Sequence, residues 1–292
     1  MISLARRPAW IARGRALRLD RPFVLGILNV TPDSFSDGGR FIVPTAALAH
    51  AERMVDEGAD AIDIGGESTR PQGAEPVAAA EERARVIPTI ERVRARFPDL
   101  PISVDTVKAE VAEQALAAGA DIVNDVSAFR LDPRMGAVCA REGAGVILMH
   151  SRGTVSDMAT YEHAHYTDVV PEVLAELRAR IAAAERAGVA PGAIAIDPGF
   201  GFSKRSEHSL AVLGSLAEFA QLGYPLVVGL SRKRFIGEAS GASDLPDRLH
   251  GTIAANALAL AAGARVFRVH DVRAARRSLD TAWAVIGAGR ER

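Results

Sequence analysis

The stretch GADAIDIGG, residues 58–66, decides the fold. A glycine closes a segment of helical period, and the chain then runs straight into a short apolar, β-branched segment that stops on a glycine pair. The opening signal recurs at Gly119-Ala120-Asp121, Gly143-Ala144-Gly145 and Gly263-Ala264-Arg265. It is the pattern expected where glycine supplies the left-handed residue that ends a helix. The apolar segment recurs too. Working outward from 61–66, the first four runs are FVLGILNV (23–30), AIDIGG itself, ISVDT (102–106) and DIVNDV (121–126). The other four are GVILMH (145–150), AIAIDPG (193–199), PLVVGLS (225–231) and RVFRVHD (265–271). Apolarity that is continuous rather than alternating suits strands buried on both faces. Between the runs lie helical patterns such as Val272, Ala275, Leu279, Trp283 and Ile286 behind Asp271, a candidate N-cap. Eight strand–helix units favour an α/β chain closed into a (β/α)₈ TIM barrel. Strand counting by itself leaves an open doubly wound sheet as the alternative.

Length and composition agree with one large domain. The 292 residues are 48% hydrophobic and 24% charged, the mixture of a globular protein with a sizeable core. We divide them into an N-terminal extension, 1–18, and a barrel domain, 19–288. The 35 basic and 36 acidic side chains give a net charge of −1, so no global field draws the protein to nucleic acid or anionic lipid, and any anion site must be local. The extension carries Arg6, Arg7, Arg13, Arg15 and Arg18 without a long apolar block, unlike a signal peptide or membrane anchor. The single cysteine, Cys139, reads as a small buried hydrophobe, and a cytoplasmic location is expected.

Function enters at the strand ends. Asn29, Asp63, Asp105, Asn124 with Asp125, His150, Asp197, Ser231, and Arg268 with His270 stand where the apolar runs stop. A lone Asp or Asn there is ordinarily a cap or a turn residue. In a barrel all eight ends meet at one rim, where such enzymes place their chemistry, so the set carries more weight than its members. Two other motifs fail. GFGFSK (199–204) lacks the four-residue gap before Gly-Lys that a phosphate loop requires. His163 and His165, as alternate residues without thiolates, do not make a metal pair and read as a solvated loop.

The strand ends open into NVTPDSFSDGG (29–39), GGESTRPQGAEPV (65–77), DPGFGFSK (197–204), GLSRK (229–233) and RVHDV (268–272). Taken in order with SVDT, VNDVS and LMH, these motifs resemble the dihydropteroate synthases from about Leu19 to the end of the last helical segment. Two positions depart from that pattern: Gln72 separates Pro71 from Gly73, and Arg234 follows SRK where serine is common.

The resemblance implies a transferase that joins a pterin diphosphate to p-aminobenzoate and releases pyrophosphate. It implies Asp105, Asp197 and Lys233 as catalytic residues, with Asn124 beside them on the pterin. It further implies Thr69, Arg70, Pro71 and Phe202 around p-aminobenzoate, with Met149 and Gly229 lining the site. Arg268 and His270 would meet the diphosphate, joined by Arg70. Asn29 would hold Mg²⁺. A homodimer is implied as well, its interface open to the helices around 206–221, 246–262 and 271–287. The chemistry has its own logic. A pterin presents an amidine-like edge that a carboxylate engages in paired hydrogen bonds, and loss of pyrophosphate leaves a ring cation that fixed anions stabilise. An arylamine is unprotonated near neutral pH and needs no strong base, in keeping with the lack of a Ser-His-Asp or Cys-His pattern. Two alternatives remain at this level: a pterin-binding methyltransferase working with a corrinoid, and a non-catalytic pterin binder.

Overall fold

The computed structural model describes residues 10–31, 42–67, 76–242 and 244–289. All eight apolar runs become strands of one parallel sheet: β3 (Phe23–Asn29), β4 (Ala61–Gly65), β5 (Ile102–Asp105), β6 (Ile122–Asp125), β7 (Gly145–Met149), β8 (Ile194–Asp197), β9 (Val227–Val228) and β10 (Val266–Val269). Each strand pairs with its sequence neighbours, and β10 returns to β3, with Val266 opposite Phe23 and Val269 opposite Gly26. Only the β8–β9 seam is thin, held by one bridge between Ile196 and Leu226 and the bond from Ile196 N to Pro225 O at 2.9 Å. The order is that of a (β/α)₈ barrel.

The helices wrap the outside: α1 (Ile42–Asp56), α2 (Ala79–Arg96), α3 (Ala109–Ala117), α4 (Met135–Glu142), α5 (Val169–Arg186), α6 (Ser206–Gly214), α7 (Leu216–Ala220), α8 (Arg234–Ser240), α9 (Arg248–Ala261) and α10 (Val272–Ala288). The glycine signal that opens the strands takes its expected form. Gly58 and Gly119 sit at φ +99° and +113°, and the following residues close the helix ends through Ala59 N to Met54 O and Ala120 N to Ala115 O, both 2.9 Å. Among the described residues no helix is long and apolar enough to cross a membrane.

Alternation along each strand sorts the barrel into two cores. Val24, Ile62, Val104, Val123, Leu148 and Ile196 belong to the outer core against the helices. Their sequence neighbours Leu25, Ala61, Ile122, Ile147 and Ala195 fill the lumen. The lumen is sealed at its N-terminal end by a hairpin that the sequence reading did not identify, β1 (Trp10–Ala12) paired with β2 (Arg15–Leu17). Trp10 is fully buried in the lumen cluster, edge-on to Phe23 with centroids 6.3 Å apart, and its Nε1 donates to Ala193 O at 3.0 Å. Arg13 N donates to Gly143 O at 2.7 Å, tying the hairpin to the helix–strand turn above it.

At this same end Asp60 and Asp121 do structural work. Asp60 accepts from Val24 N at 2.8 Å and from Arg276, and Asp121 accepts from Ile102 N at 2.9 Å and Arg94 at 2.6 Å. Each carboxylate thus satisfies an N–H at the start of the preceding strand and neutralises an arginine from the helix layer.

Candidate active site

The period of two that divides the cores also divides the polar strand ends. Asp63, Asp105, Asn124, Met149, Asp197, Gly229 and Arg268 have the lumen parity and meet above the apolar plug. Asp125 and His150 have the other parity. Asp125 accepts from Ser127 N and Oγ, both 2.7 Å, and from Phe129 N at 3.0 Å, so it holds a turn in which Ala128 and Phe129 sit at positive φ. His150 turns toward α5 and the loop after β8.

Arg268 is the centre of the mouth. Its Nε donates to Asp63 Oδ2 at 2.6 Å and an Nη to Asp105 Oδ2 at 2.7 Å, so one guanidinium joins two carboxylates across three strands. Asn124 Nδ2 donates to the same Asp63 oxygen at 3.0 Å, leaving the amide oxygen free of that bond. Because a carboxylate only accepts, Asp63 fixes which way round the Asn124 amide stands. Asp63 is wholly buried, and its Oδ1 has no hydrogen-bond partner among the described residues. Burial raises the pKa of Asp105 against the pull of Arg268, and the nearby Asp63 adds to the rise. Two carboxylates sharing one cation in a water-poor site leave the group short of positive charge.

Asp197 serves two purposes at once. Oδ1 accepts from Gly199 N at 2.7 Å, the turn-capping role open to any Asp-Pro-Gly, while Oδ2 faces Gly229, where an added Cβ would stand 3.9 Å away. Burial pushes its pKa up to about 6, offset by the Gly199 bond and by Lys233. Lys233 lies with Nζ 4.2 Å from the centre of the Phe202 ring, and burial together with Arg268 lowers it to about 8. Phe202 packs with Met149, Val107, Val126 and Met158 in a small apolar cluster at the rim. Two polar groups face Gly65: a Cβ there would stand 3.7 Å from both Asn29 Oδ1 and Asp105 Oδ2.

The sequence reading placed His270 beside Arg268, and the structure gives it a different electrostatic character. Its Nδ1 lies 3.0 Å from Ser231 Oγ, and burial with Arg268 and Arg232 lowers its pKa to about 3. It therefore offers a neutral ring and no positive charge near neutral pH. Asp271 precedes α10 as expected, but its carboxylate caps nothing; it forms a two-point ion pair with Arg232 at 2.6 and 3.0 Å. Arg234 lies over the Tyr161 ring at 4.2 Å and 3.7 Å from Glu238, on the outside of the rim. His163 lies 3.3 Å from Asp157, in a group with Glu162 that is partly exposed. Thr69, Arg70, Pro71 and Gln72 lie outside the described residues, as does most of NVTPDSFSDGG. The root of the second loop is described: Glu67 Oε1 accepts from Val77 N at 2.6 Å and from Lys108 Nζ at 3.0 Å. Asp63 was legible as a polar strand end, but its joint hold on Arg268 and Asn124 was not read from the sequence. Lumen parity with Ala61 and Gly65 was the signal that could have found it.

The profile of the family described as "Pterin binding enzyme" matches residues 25–270. The chain belongs to that family. The dihydropteroate synthase of Synechocystis sp. is 48% identical over 254 residues, which are 87% of this chain and 86% of the relative. Among solved structures, Xanthomonas albilineans dihydropteroate synthase with 4-aminobenzoic acid superposes with a TM-score of 0.88 at 48% identity, covering 96% of this chain and 98% of that one. The same enzyme in complex with 7,8-dihydropteroate gives 0.85 at 46% identity, covering 96% and 99%. Pterin-binding enzymes therefore supply the framework for this mouth, where anionic and cationic side chains from β4, β5, β8 and β10 share one small volume.

Proposed function

We propose that the barrel domain, 19–288, acts as a dihydropteroate synthase. It condenses 6-hydroxymethyl-7,8-dihydropterin diphosphate with p-aminobenzoate to give 7,8-dihydropteroate and pyrophosphate. The observation that carries the reading is the convergence of Asp63, Asp105, Asn124, Asp197, Lys233 and Arg268 on one buried mouth above an apolar plug. Asp105, Asn124 and Asp197 engage the pterin edge. Ionised, the two carboxylates stabilise the positive charge that spreads into the ring as the methylene C–O bond to the diphosphate breaks. The arylamine nitrogen forms the new bond to that methylene and loses a proton, while pyrophosphate leaves with the bonding electrons. Lys233 and Phe202 form a wall against which the two rings are held, and placement supplies the remaining advantage. Arg268 has an Nη not used by either carboxylate among the described residues, and with His270 as a neutral donor it meets the diphosphate.

Asn29 fits a magnesium role. Its amide oxygen and the Asp105 carboxylate both face Gly65, and such oxygen donors suit a hard cation that keeps most of its waters. Such an ion, when bound, neutralises the diphosphate. We place the protein in the cytoplasm, with small-molecule substrates as its partners. We further infer a homodimer, supported by the exposure of Leu210, Leu258 and Val285 on α6, α9 and α10. A coupled pyrophosphate assay with each substrate omitted in turn tests the activity. Release is expected only with both substrates present, and release without p-aminobenzoate overturns the reading.

A further inference from the structure

The lysine of GFGFSK is not a phosphate-loop residue, and it is one of the most buried side chains in the protein, 1% exposed. Its ammonium meets three acceptors: His150 Nδ1 at 2.8 Å, Gly199 O at 3.1 Å and Phe202 O at 3.2 Å. A lysine so buried needs a reason, because its charge resists desolvation and each lost donor bond would be felt in full. Here three donors match three acceptors, and two of them are carbonyls of the loop that joins Asp197 to Phe202.

The contacts continue outward. Lys204 donates to His150 Nδ1, so the His150 ring proton sits on Nε2, which donates to Glu176 on α5 at 3.0 Å. Burial and Lys204 hold His150 neutral, with its pKa lowered to about 4. Glu176 is gripped in turn by Arg152, which also bonds Glu172 at 2.9 Å. At the inner end, Gly199 N donates to Asp197 and Phe202 N closes the turn on Gly199 O at 3.1 Å. The loop leaves no slack at its seat: a Cβ on Gly199 would stand 1.9 Å from His150 O.

We propose that Lys204 is a positioning residue of the active site. Held by His150 and, through it, by Glu176, it fixes the 198–204 loop so that the free oxygen of Asp197 and the ring of Phe202 keep their places in the mouth. Lys204 touches neither substrate. The inference rests on the synthase reading and on Phe202 facing the arylamine.

Steady-state kinetics of Lys204→Met and Glu176→Gln, with pterin diphosphate binding measured separately by calorimetry, test it. Lys204→Met keeps the stem and removes the ammonium. The KM for p-aminobenzoate is expected to rise about tenfold as Phe202 loses its place and kcat to fall about tenfold as the Asp197 oxygen loses its aim, with the pterin diphosphate Kd changed less than either. A folded Lys204→Met enzyme with wild-type KM values overturns the proposal, as does one that loses kcat alone. If Lys204→Met does not fold, Glu176→Gln decides. This variant keeps its size at a half-exposed position and weakens the hold on His150, so the KM for p-aminobenzoate should rise about threefold, and a wild-type KM again overturns the proposal. Failure of the wild-type chain to release pyrophosphate would instead sink the synthase reading, and the two failures cannot be confused.

Discussion

Asp60 and Asp63 stand three residues apart, the first just before β4 at the closed end of the barrel and the second at the middle of β4, facing the mouth. At the closed end, Asp60 takes a strand N–H and two arginines, and Asp121 takes a strand N–H and one arginine. At the open end, Asp63 shares one oxygen between Arg268 and Asn124 and leaves the other without a partner among the described residues. The first kind of site is satisfied by the chain itself and needs nothing more. The second holds more polar capacity than the fold consumes, which is costly in a buried place unless something else uses it. The same residue type, three positions apart, is thus structural or functional according to how fully its hydrogen-bonding capacity is met.

Substitutions at the two ends should separate these roles. The largest effect is expected from Asp197→Asn, which keeps the Gly199 bond through the amide oxygen and removes the anion. We expect kcat to fall at least a hundredfold, about 3 to 4 kcal/mol of transition-state stabilisation, with pterin binding less affected. Near-normal turnover by pyrophosphate release would place Asp197 with the structural aspartates. At the closed end, Trp10→Ala should lower stability by about 3 kcal/mol, read as a drop in melting temperature, while kcat/KM well below that temperature stays close to wild type. A comparable loss of activity would mean that the plug and the mouth are coupled.

Asp63→Asn tests the shared oxygen. The amide oxygen can still accept from both Arg268 and Asn124, but the anion opposite Arg268 is lost, so a tenfold fall in kcat/KM, about 1.4 kcal/mol, is expected with little change in melting temperature. The reverse outcome, lost stability with activity kept, would make Asp63 a second Asp60. The pH dependence is expected to be of similar size. Asp197 must be ionised to act, and burial raises its pKa to about 6, so kcat/KM should fall on the acid side by roughly tenfold between pH 7 and pH 5. On stability the sign is opposite. The raised folded pKa makes this group's contribution full below the unfolded value and lost as pH rises through about 6. A flat rate profile from pH 5 to pH 8 would remove Asp197 from that role.

The barrel was legible because strands covered on both faces carry unbroken β-branched runs, and because glycine marks the helix ends. PLVVGLS shortened most, to Val227–Val228, since Pro225 has no N–H to give the sheet. The hairpin at 10–17 was hidden because strands of three residues show no period and its arginines look like a solvated tail. The convergence of acids and cations at the mouth was also legible, as were Asp105, Asn124, Asp197 and Lys233 as its members. Which groups pair was not. Arg268 finds Asp63 and Asp105 at separations of 205 and 163 residues, and burial with Arg268 and Arg232 lowers the pKa of His270 through surroundings that no local motif encodes. Lys204 was passed over with GFGFSK, which lacks the gap of a phosphate loop, and its role was not legible because it depends on His150, which reaches it from another strand.

The ring of strands has one weak joint, between Ile196 and Leu226. Asp197 sits one residue past it on one side and Gly229 three residues past it on the other, so thermal opening of the cylinder would act first on the gap that these two residues span. Hydrogen–deuterium exchange should find the amides of Val227 and Val228 the quickest to exchange among the lumen strands. Occupancy by a flat heterocycle spanning that gap should slow them more than any others, as a key stiffens the split collar it is pushed through.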